Sequence, residues 1–487
     1  MCAPESAADG PTAAAGKGPG ATFTMKQVAQ HCTPEDCWMV IDHQVYDVTS
    51  WVPKHPGGEI IAVKAGGDCT QLFKAYHPLY VQKMLGKFQI GSLKDSPEDL
   101  TTHTEFAAQS VFTATDGQEP AKAAVVADDE FYTTVKRRVE SFFKETGLRR
   151  RDCPAMYIKS AIILAGVAGF YYLSFFHFTT FWVALLSSVV YGIFAGEVGV
   201  SIMHDANHGA YSRNSLLQQC MAFTLDIVGA SSFMWRQQHV VGHHCFTNVN
   251  DRDPDIRCND PDVRVTAPSQ RVHDYHKYQH LYLPFMYGLL GPKSILLDDF
   301  ANFADKRIGF VRVAAMTPKE GLLFWGGKAF SLFMLLVLPN LYGNFGVVAN
   351  FALFWAGALT TGYMLAFMFQ VAHVVGDVYW PEVDASNGKV AVGWAAGQVA
   401  TSANFAPGHW GWTHFSGGLN HQIEHHLFPG VCHVHYPRIA PIVQRTCEEF
   451  GVPYVAYPTF MAAVAAHFRH MKNVGHAMPL VPKLGDA

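Results

Sequence analysis

Apolar residues run almost without interruption over four stretches of the chain, 156–175, 179–203, 321–341 and 346–372. Each approaches the roughly 20 mainly apolar residues that a helix needs to cross a bilayer, so four spanning helices are expected. Lys159, Glu197 and Lys328 fall within or near these stretches, which leaves their ends soft. Two further segments, 221–235 and 281–297, are too polar or too interrupted to span, and read as helices lying at the interface or packed on the bundle. Lys136, Arg137 and Arg138, then Arg149, Arg150 and Arg151, precede the first span. The positive-inside rule starts that span in the cytosol. Two crossings return the chain to the same side at Met203, and four return it there at about Val371.

Ahead of the spans the pattern changes. Residues 1–22 are small and polar and read as a disordered tail without the apolar core of a signal peptide. From Cys37 to Ser50 apolar residues alternate around Asp42-His43-Gln44, the pattern of a short hairpin, and a Pro/Gly-rich loop and short helices follow to about residue 91. Residues 92–127 read as a linker, 128–455 as the main domain and 456–487 as a C-terminal tail. The expected fold is multi-domain: a small α+β domain over 23–91, then an all-α integral membrane domain with about four transmembrane helices and a histidine-rich cap.

Composition supports the membrane reading, since 49% apolar and 13% aromatic residues are rich for a soluble chain of 487 residues. A net charge of −4 and a pI near 6.7 show no basic excess, so nucleic acid is not an expected partner. Ten cysteines are scattered without a CxxC pair and read as thiols facing a reducing compartment, with Cys245 a small buried filler.

Chemistry concentrates in three histidine clusters beside the apolar runs: His204 and His208; His239, His243 and His244; and Gln422, His425 and His426. Histidines four apart share a helix face, and neutral imidazole suits iron, zinc or copper. Seven imidazoles and an amide exceed the three or four protein ligands of a typical zinc site, which points to two transition-metal ions. Span parity puts all three clusters on one side. Asp205, Asn207 and Glu424 are candidates for orienting ligand histidines, and Gly242 leaves room for close approach. His421 points about 100° away from Gln422 on a helix. His273, His276, His280, His433 and His435 are expected to be non-ligands. In the small domain His55, opening His-Pro-Gly-Gly, and His77, 22 residues later, could hold a six-coordinate haem between them. Ile60, Ile61, Val63, Leu72, Phe73 and Leu85 are available to line its pocket.

Residues 23–91 resemble the cytochrome b5 domain across nearly its whole length, which implies that His55 and His77 are axial ligands of haem b and that the haem carries electrons. The clusters resemble the histidine boxes of the membrane fatty acid desaturases. Their combination with that N-terminal domain, and with Gln422 opening the third box, resembles the front-end branch over residues 23 to about 455. By that resemblance two non-haem irons are held by His204, His208, His239, His243, His244, His425 and His426. His373, emerging from the fourth span, is an additional ligand. Gln422 stands where a histidine is common and ligates directly or through water.

The resemblance further implies O2 as oxidant and NADH as electron source through cytochrome b5 reductase. It places the protein in the endoplasmic reticulum membrane with haem and clusters facing the cytosol. The expected substrate is a long-chain polyunsaturated acyl-CoA or acyl-phospholipid, desaturated at delta-5 or, next in order, delta-4. Alternatives are a delta-6, delta-8 or sphingolipid desaturase, a di-iron lipid hydroxylase, and, in another class, a haem protein with a metal-transport role. Trp235, Gln238, Phe369 and Gln370 are candidates for the mouth of an acyl tunnel.

Overall fold

The computed structural model describes residues 20–56, 58–94, 106–112, 124–256, 262–270, 272–384 and 389–477. Gly57, Cys2, Cys258, nearly all of the expected N-terminal tail, much of the expected linker and residues 478–487 lie outside these.

The small domain is built on a five-stranded sheet, with β1 (Thr22–Phe23), β2 (Cys32–Thr33), β3 (Asp36–Ile41), β4 (Gln44–Asp47) and β5 (Gln89–Leu93) in the order β1-β5-β4-β3-β2. The expected hairpin is β3–β4, with Ile41 opposite Gln44 and both turn residues Asp42 and His43 at positive φ. One face of β3 packs Trp38 and Val40 against Phe23, Val28 and Ile90. The other packs Cys37, Met39 and Ile41 against Val48, Val52 and Phe73. Helix α1 (Met25–Val28) is held by a reciprocal Thr24–Gln27 cap, and α2 (Thr70–Tyr76) ends at His77.

The linker is shorter than the sequence suggests. Strand β5 runs on to Leu93, Phe106 bridges Val390, and β6 (Gln109–Phe112) pairs antiparallel with β7 (Ala124–Ala127). Helix α3 (Asp128–Thr146) follows directly. Its first residue caps another helix: the Asp128 carboxylate accepts the Ala395 and Ala396 N–H groups at 3.1 and 2.8 Å, at the start of α4 (Trp394–Ala400). A carboxylate there satisfies otherwise unpaired donors and complements the helix dipole.

Among the described residues, four helices are long and apolar enough to cross a membrane: Pro154–His177, Phe181–Asn207, Pro318–Tyr342 and Val347–His373. They coincide with the four expected spans. The second and fourth form the centre, pressed together at glycines: a Cβ on Gly192 would lie 2.4 Å from the Gly357 carbonyl oxygen. Thr361 Oγ1 donates to the Gly192 carbonyl at 2.9 Å and Ser188 Oγ to that of Leu353 at 2.6 Å. With lipid on the outside, such close contacts and hydrogen bonds replace the hydrophobic drive of a soluble core. The charges in the spans are paired, Lys159 Nζ with Glu197 3.8 Å away and Lys328 Nζ with Asp299 at 2.5 Å. The expected non-spanning segments are short helices, among them Thr224–Val228, Ser232–Trp235, Gln279–Met286 and Leu290–Lys293. Gly291 lets the last of these meet the Ala358 carbonyl of the fourth span.

Two expectations need correction. Residues 456–487 are not simply a tail, because α7 (Phe460–His476) packs Ala463, Ala466, Met471 and Val474 into the body. His467 Nδ1 donates to the Val374 carbonyl at 2.7 Å, clamping the end of the fourth span. Its alanines and histidines give the helix a weak apolar signature in sequence. The all-thiol reading also fails at Cys32, which is disulfide-bonded, whereas Cys37, Cys69, Cys153, Cys220, Cys245, Cys432 and Cys447 are free.

Candidate metal centre and haem cleft

The three clusters and His373 come together at one end of the bundle. His204 and His208 lie at the end of the second span, and His373 is the last residue of the fourth. The third cluster rides on α5 (Gln422–Leu427). The second forms on a turn with i→i+5 hydrogen bonding, Arg236–His243, in which the His244 N–H donates to the His239 carbonyl at 3.0 Å. On a regular α-helix His244 would point about 140° from His239. The wider turn brings it edge-on to His239 instead, the ring planes 84° apart and their Nε2 atoms 3.2 Å apart. Gly242 makes this possible, since a Cβ there would lie 2.5 Å from Pro254.

The rings sort into two adjoining groups. In the first, single ring nitrogens of His204, His208, His239 and His425 lie within 4.8 Å of one another. In the second, His243, His373 and His426 do the same. His244 joins them, its Nε2 3.0 Å from His425 Nε2, and it groups with both His425 and His426. His426 Nε2 stands 3.1 Å from His373 Nε2 and 3.3 Å from His243 Nε2. Gln422 places its amide 2.8 Å from His373 Nε2, while its Oε1 is buried without a partner. His204 Nε2 and His208 Nε2 are likewise buried and unpartnered. Ring nitrogens converging at about 3 Å match ligands that each lie about 2 Å from a shared ion.

Hydrogen bonds from behind fix the rings. His239 Nδ1–H donates to Asp255 at 2.7 Å and His243 Nδ1–H to Asp253 at 2.8 Å. His426 Nδ1–H donates to Gln398 Oε1 at 2.7 Å, His425 Nδ1–H to the Tyr436 hydroxyl at 3.2 Å and His373 Nδ1–H to the Thr401 carbonyl at 3.3 Å. Such bonds set the tautomer that leaves Nε2 free to ligate. Burial, then neighbouring imidazoles, hold His208, His244, His425 and His426 well below the usual histidine range. Burial also lowers His239, though Asp255 opposes it, whereas at His243 burial is outweighed by the Asp253 and Asp255 carboxylates together and the net shift is upward.

The sequence did not single out Asp253, Asp255, Gln398, Tyr436 or Thr401. The acidic run Asp251-Arg252-Asp253-Pro254-Asp255, close behind the second cluster, was the one available signal. Asp205, Asn207 and Glu424 serve elsewhere. Asp205 accepts from His433 Nδ1 at 2.9 Å, Asn207 Oδ1 from Arg236 at 3.2 Å, and Glu424 from Asn404 and Tyr454, each at 2.9 Å. His433 groups with Asp205 and Cys432, apart from the main clusters. His421 Nδ1 lies 3.6 Å from Glu424. Cys245 is buried, 3.9 Å from Lys64 Nζ, and joins none of the histidine groups among the described residues. Of the tunnel-mouth candidates, Trp235 lies against His239 with centroids 4.4 Å apart and Phe369 against His373 at 4.9 Å. Gln238 donates to Asp255 and Gln370 accepts from Arg264, both at 2.7 Å.

In the small domain the His55 and His77 rings face each other with centroids 5.8 Å apart. That is close to the spacing of two imidazoles sharing one ion at about 2 Å from each nitrogen. His77 Nδ1–H donates to the Phe73 carbonyl at 3.2 Å, which turns Nε2 toward His55. Ile60, Ile61, Val63, Leu72, Phe73 and Leu85 are all half-buried, as the walls of an open cleft would be.

This domain sits against the histidine cap. Lys64 Nζ donates to Cys245 Sγ, Lys136 Nζ to the Lys74 carbonyl at 2.6 Å, and Tyr76 Oη lies 2.6 Å from His208 Nδ1.

A bis-histidine cleft resting on a buried, double histidine cluster at the end of four apolar helices defines an integral membrane oxidoreductase. The fatty acid desaturase family matches residues 179–458, and the cytochrome b5-like haem/steroid binding domain matches 24–94. An acyl-lipid (8-3)-desaturase of Physcomitrium patens is 53% identical over 93% of this chain and 91% of its own length. From Dictyostelium discoideum, acyl-lipid (8-3)-desaturase B is 33% identical over 95% of this chain and 96% of its own, and delta(5) fatty acid desaturase A is 32% identical over the same shares. The chain belongs to the fatty acid desaturase family, with a cytochrome b5-like domain fused at its N-terminal side, and is an oxygen-dependent oxidoreductase. The family implies haem in the cleft and iron at the histidines, and the donors present fit both.

Proposed function

We propose that the protein is a front-end desaturase that inserts a cis double bond at delta-5 of long-chain polyunsaturated acyl groups carried on a glycerolipid. One observation carries the chemistry: two imidazole groups joined through His244 meet at the ends of the second and fourth spans, beneath a bis-histidine domain. His204, His208, His239 and His425 would hold one iron, and His243, His373, His426 and Gln422 the other, with His244 available to either. His55 and His77 hold haem b.

When bound, the two irons supply the oxidising power needed to remove hydrogen from unactivated methylene groups with O2. Each turnover takes two hydrogens from adjacent carbons, adds two electrons and two protons, and releases two waters. The electrons pass from NADH through cytochrome b5 reductase to the haem domain. The residues around the irons orient the ligands, exclude water and hold the acyl chain still. A small, mainly apolar cavity lies between the spans, lined by Ser188, Tyr191, Ala195, Leu335, Phe354 and Ala358 among others, and would have to widen to take the methyl end of an acyl chain. Ala195 stands nine residues before His204, roughly 13 Å along a helix.

Delta-5 and the lipid carrier are supported by the names of the relatives, and delta-4 is the second reading. The membrane is the endoplasmic reticulum, with haem and histidines in the cytosol, as the basic residues before the first span favour. Expression in yeast fed separate C18, C20 and C22 polyunsaturated acids, with double bonds located by mass spectrometry, tests this. A new delta-5 bond in C20 chains of the glycerolipid fraction is expected. A hydroxylated product, or a new bond confined to acyl-CoA, would overturn it.

A further inference from the structure

The partners that hold His239, His243, His373, His425 and His426 come from the desaturase domain itself. His208 differs. Its Nδ1 meets the hydroxyl of Tyr76, the last residue of α2 in the haem domain, at 2.6 Å across 132 positions of sequence. The two rings lie nearly parallel, 18° apart, with centroids at 6.2 Å. His208 Nε2 is buried, has no partner and belongs to the four-histidine group. An imidazole that ligates through Nε2 carries its hydrogen on Nδ1, so His208 Nδ1–H donates to Tyr76 Oη.

Tyr76 also immediately precedes His77. From the His77 ring one peptide bond leads to Tyr76, and one hydrogen bond leads on to His208. Lys64 against Cys245 and Phe246, and Lys136 donating to the Lys74 carbonyl, hold the same two surfaces together on either side.

We propose that Tyr76 is a positioning residue of the metal centre: the haem domain supplies the hydrogen-bond partner that fixes His208, so its docking completes the site it feeds. This rests on the reading that His208 ligates iron and His77 ligates haem. The contact would do for His208 what Asp253 and Asp255 do for their histidines, where loss of such a partner typically costs 10–100-fold in metal affinity or activity.

The test uses full-length protein in detergent or nanodiscs, comparing wild type with Tyr76→Phe, which keeps the ring and removes the acceptor. Non-haem iron is measured after a graded chelator challenge, haem by its Soret band, and the irons individually by Mössbauer spectroscopy. With the Soret band intact, Tyr76→Phe is expected to lose one iron at a chelator concentration at least tenfold lower than wild type. The Mössbauer signature of that iron alone should change, which a loosened fold would not produce. Reoxidation of the reduced haem should slow in parallel. Should Tyr76→Phe lose its haem, a ring-fluorinated tyrosine at this position, a weaker acceptor of the same shape, is expected to reduce iron retention by a smaller factor. Wild type that holds no non-haem iron would overturn the function proposed above. Wild type with two irons and a variant that retains both equally would overturn the role of Tyr76 alone.

Discussion

Asp253 and Asp255 show what a side chain can contribute without touching a ligand position itself. Each accepts from the Nδ1–H of one histidine, at 2.8 and 2.7 Å, and so aims the opposite nitrogen inward. Replacing either by asparagine keeps the volume and removes the charge. Asp253→Asn and Asp255→Asn are each expected to reduce retention of non-haem iron 10–100-fold while the haem spectrum is unchanged. Metal analysis after dialysis against chelator checks this, and full iron retention in both variants would remove the role assigned to them. At this scale the sequence told much about which histidines cluster and little about what orients them. Spacing alone brings His204 to His208, because a helix repeats every 3.6 residues. The partners come from turns, from α4 and from α6 (Tyr436–Phe450), whose arrival beside the rings is a tertiary event. Asp205 illustrates the trap: adjacent to His204 in sequence, it serves His433 instead.

Among elements, the second and fourth spans carry the histidines that must meet, and glycines set how near they come. Gly192→Leu would drive a side chain into the backbone at Gly357 and the Thr360 side chain. Overpacking of this kind costs about 1–3 kcal/mol, and backbone cannot yield as a flexible side chain can. The variant is expected to unfold at lower temperature and to lose iron from both positions together, because His204 and His373 would separate. Thermal melting paired with metal analysis checks it, and a normal melt with full iron would contradict the contact. The four spans themselves were legible because an apolar run of that length has few other uses. The i→i+5 turn was not, since its widening depends on Gly242 facing Pro254. Nor was α7, an amphipathic helix whose small apolar face gains meaning only against the fourth span and the short helix Gln279–Met286.

For the whole molecule, the haem domain and the membrane domain are separable in sequence but joined in space. His55→Ala is expected to abolish the haem spectrum and the NADH-dependent reaction while leaving both non-haem irons bound. Visible spectra, iron content and product analysis check this together, and undiminished turnover with NADH and reductase alone would show the fused haem to be dispensable. The two domains were legible as separate units because each carries its own hydrophobic pattern. Their mutual docking was not, because it depends on single contacts such as Lys64 with Cys245. The glycine crossing of the second and fourth spans bears on how the molecule lives in a real membrane. Bilayers differ in thickness by several ångströms, and spanning helices answer by tilting or sliding. Spans locked backbone to backbone at Gly192 and Gly357 tilt as a pair, so the distance between His204 and His373 at their ends does not follow the membrane. The same oxidising centre can therefore keep its geometry while the lipid it modifies alters the thickness of the sheet around it.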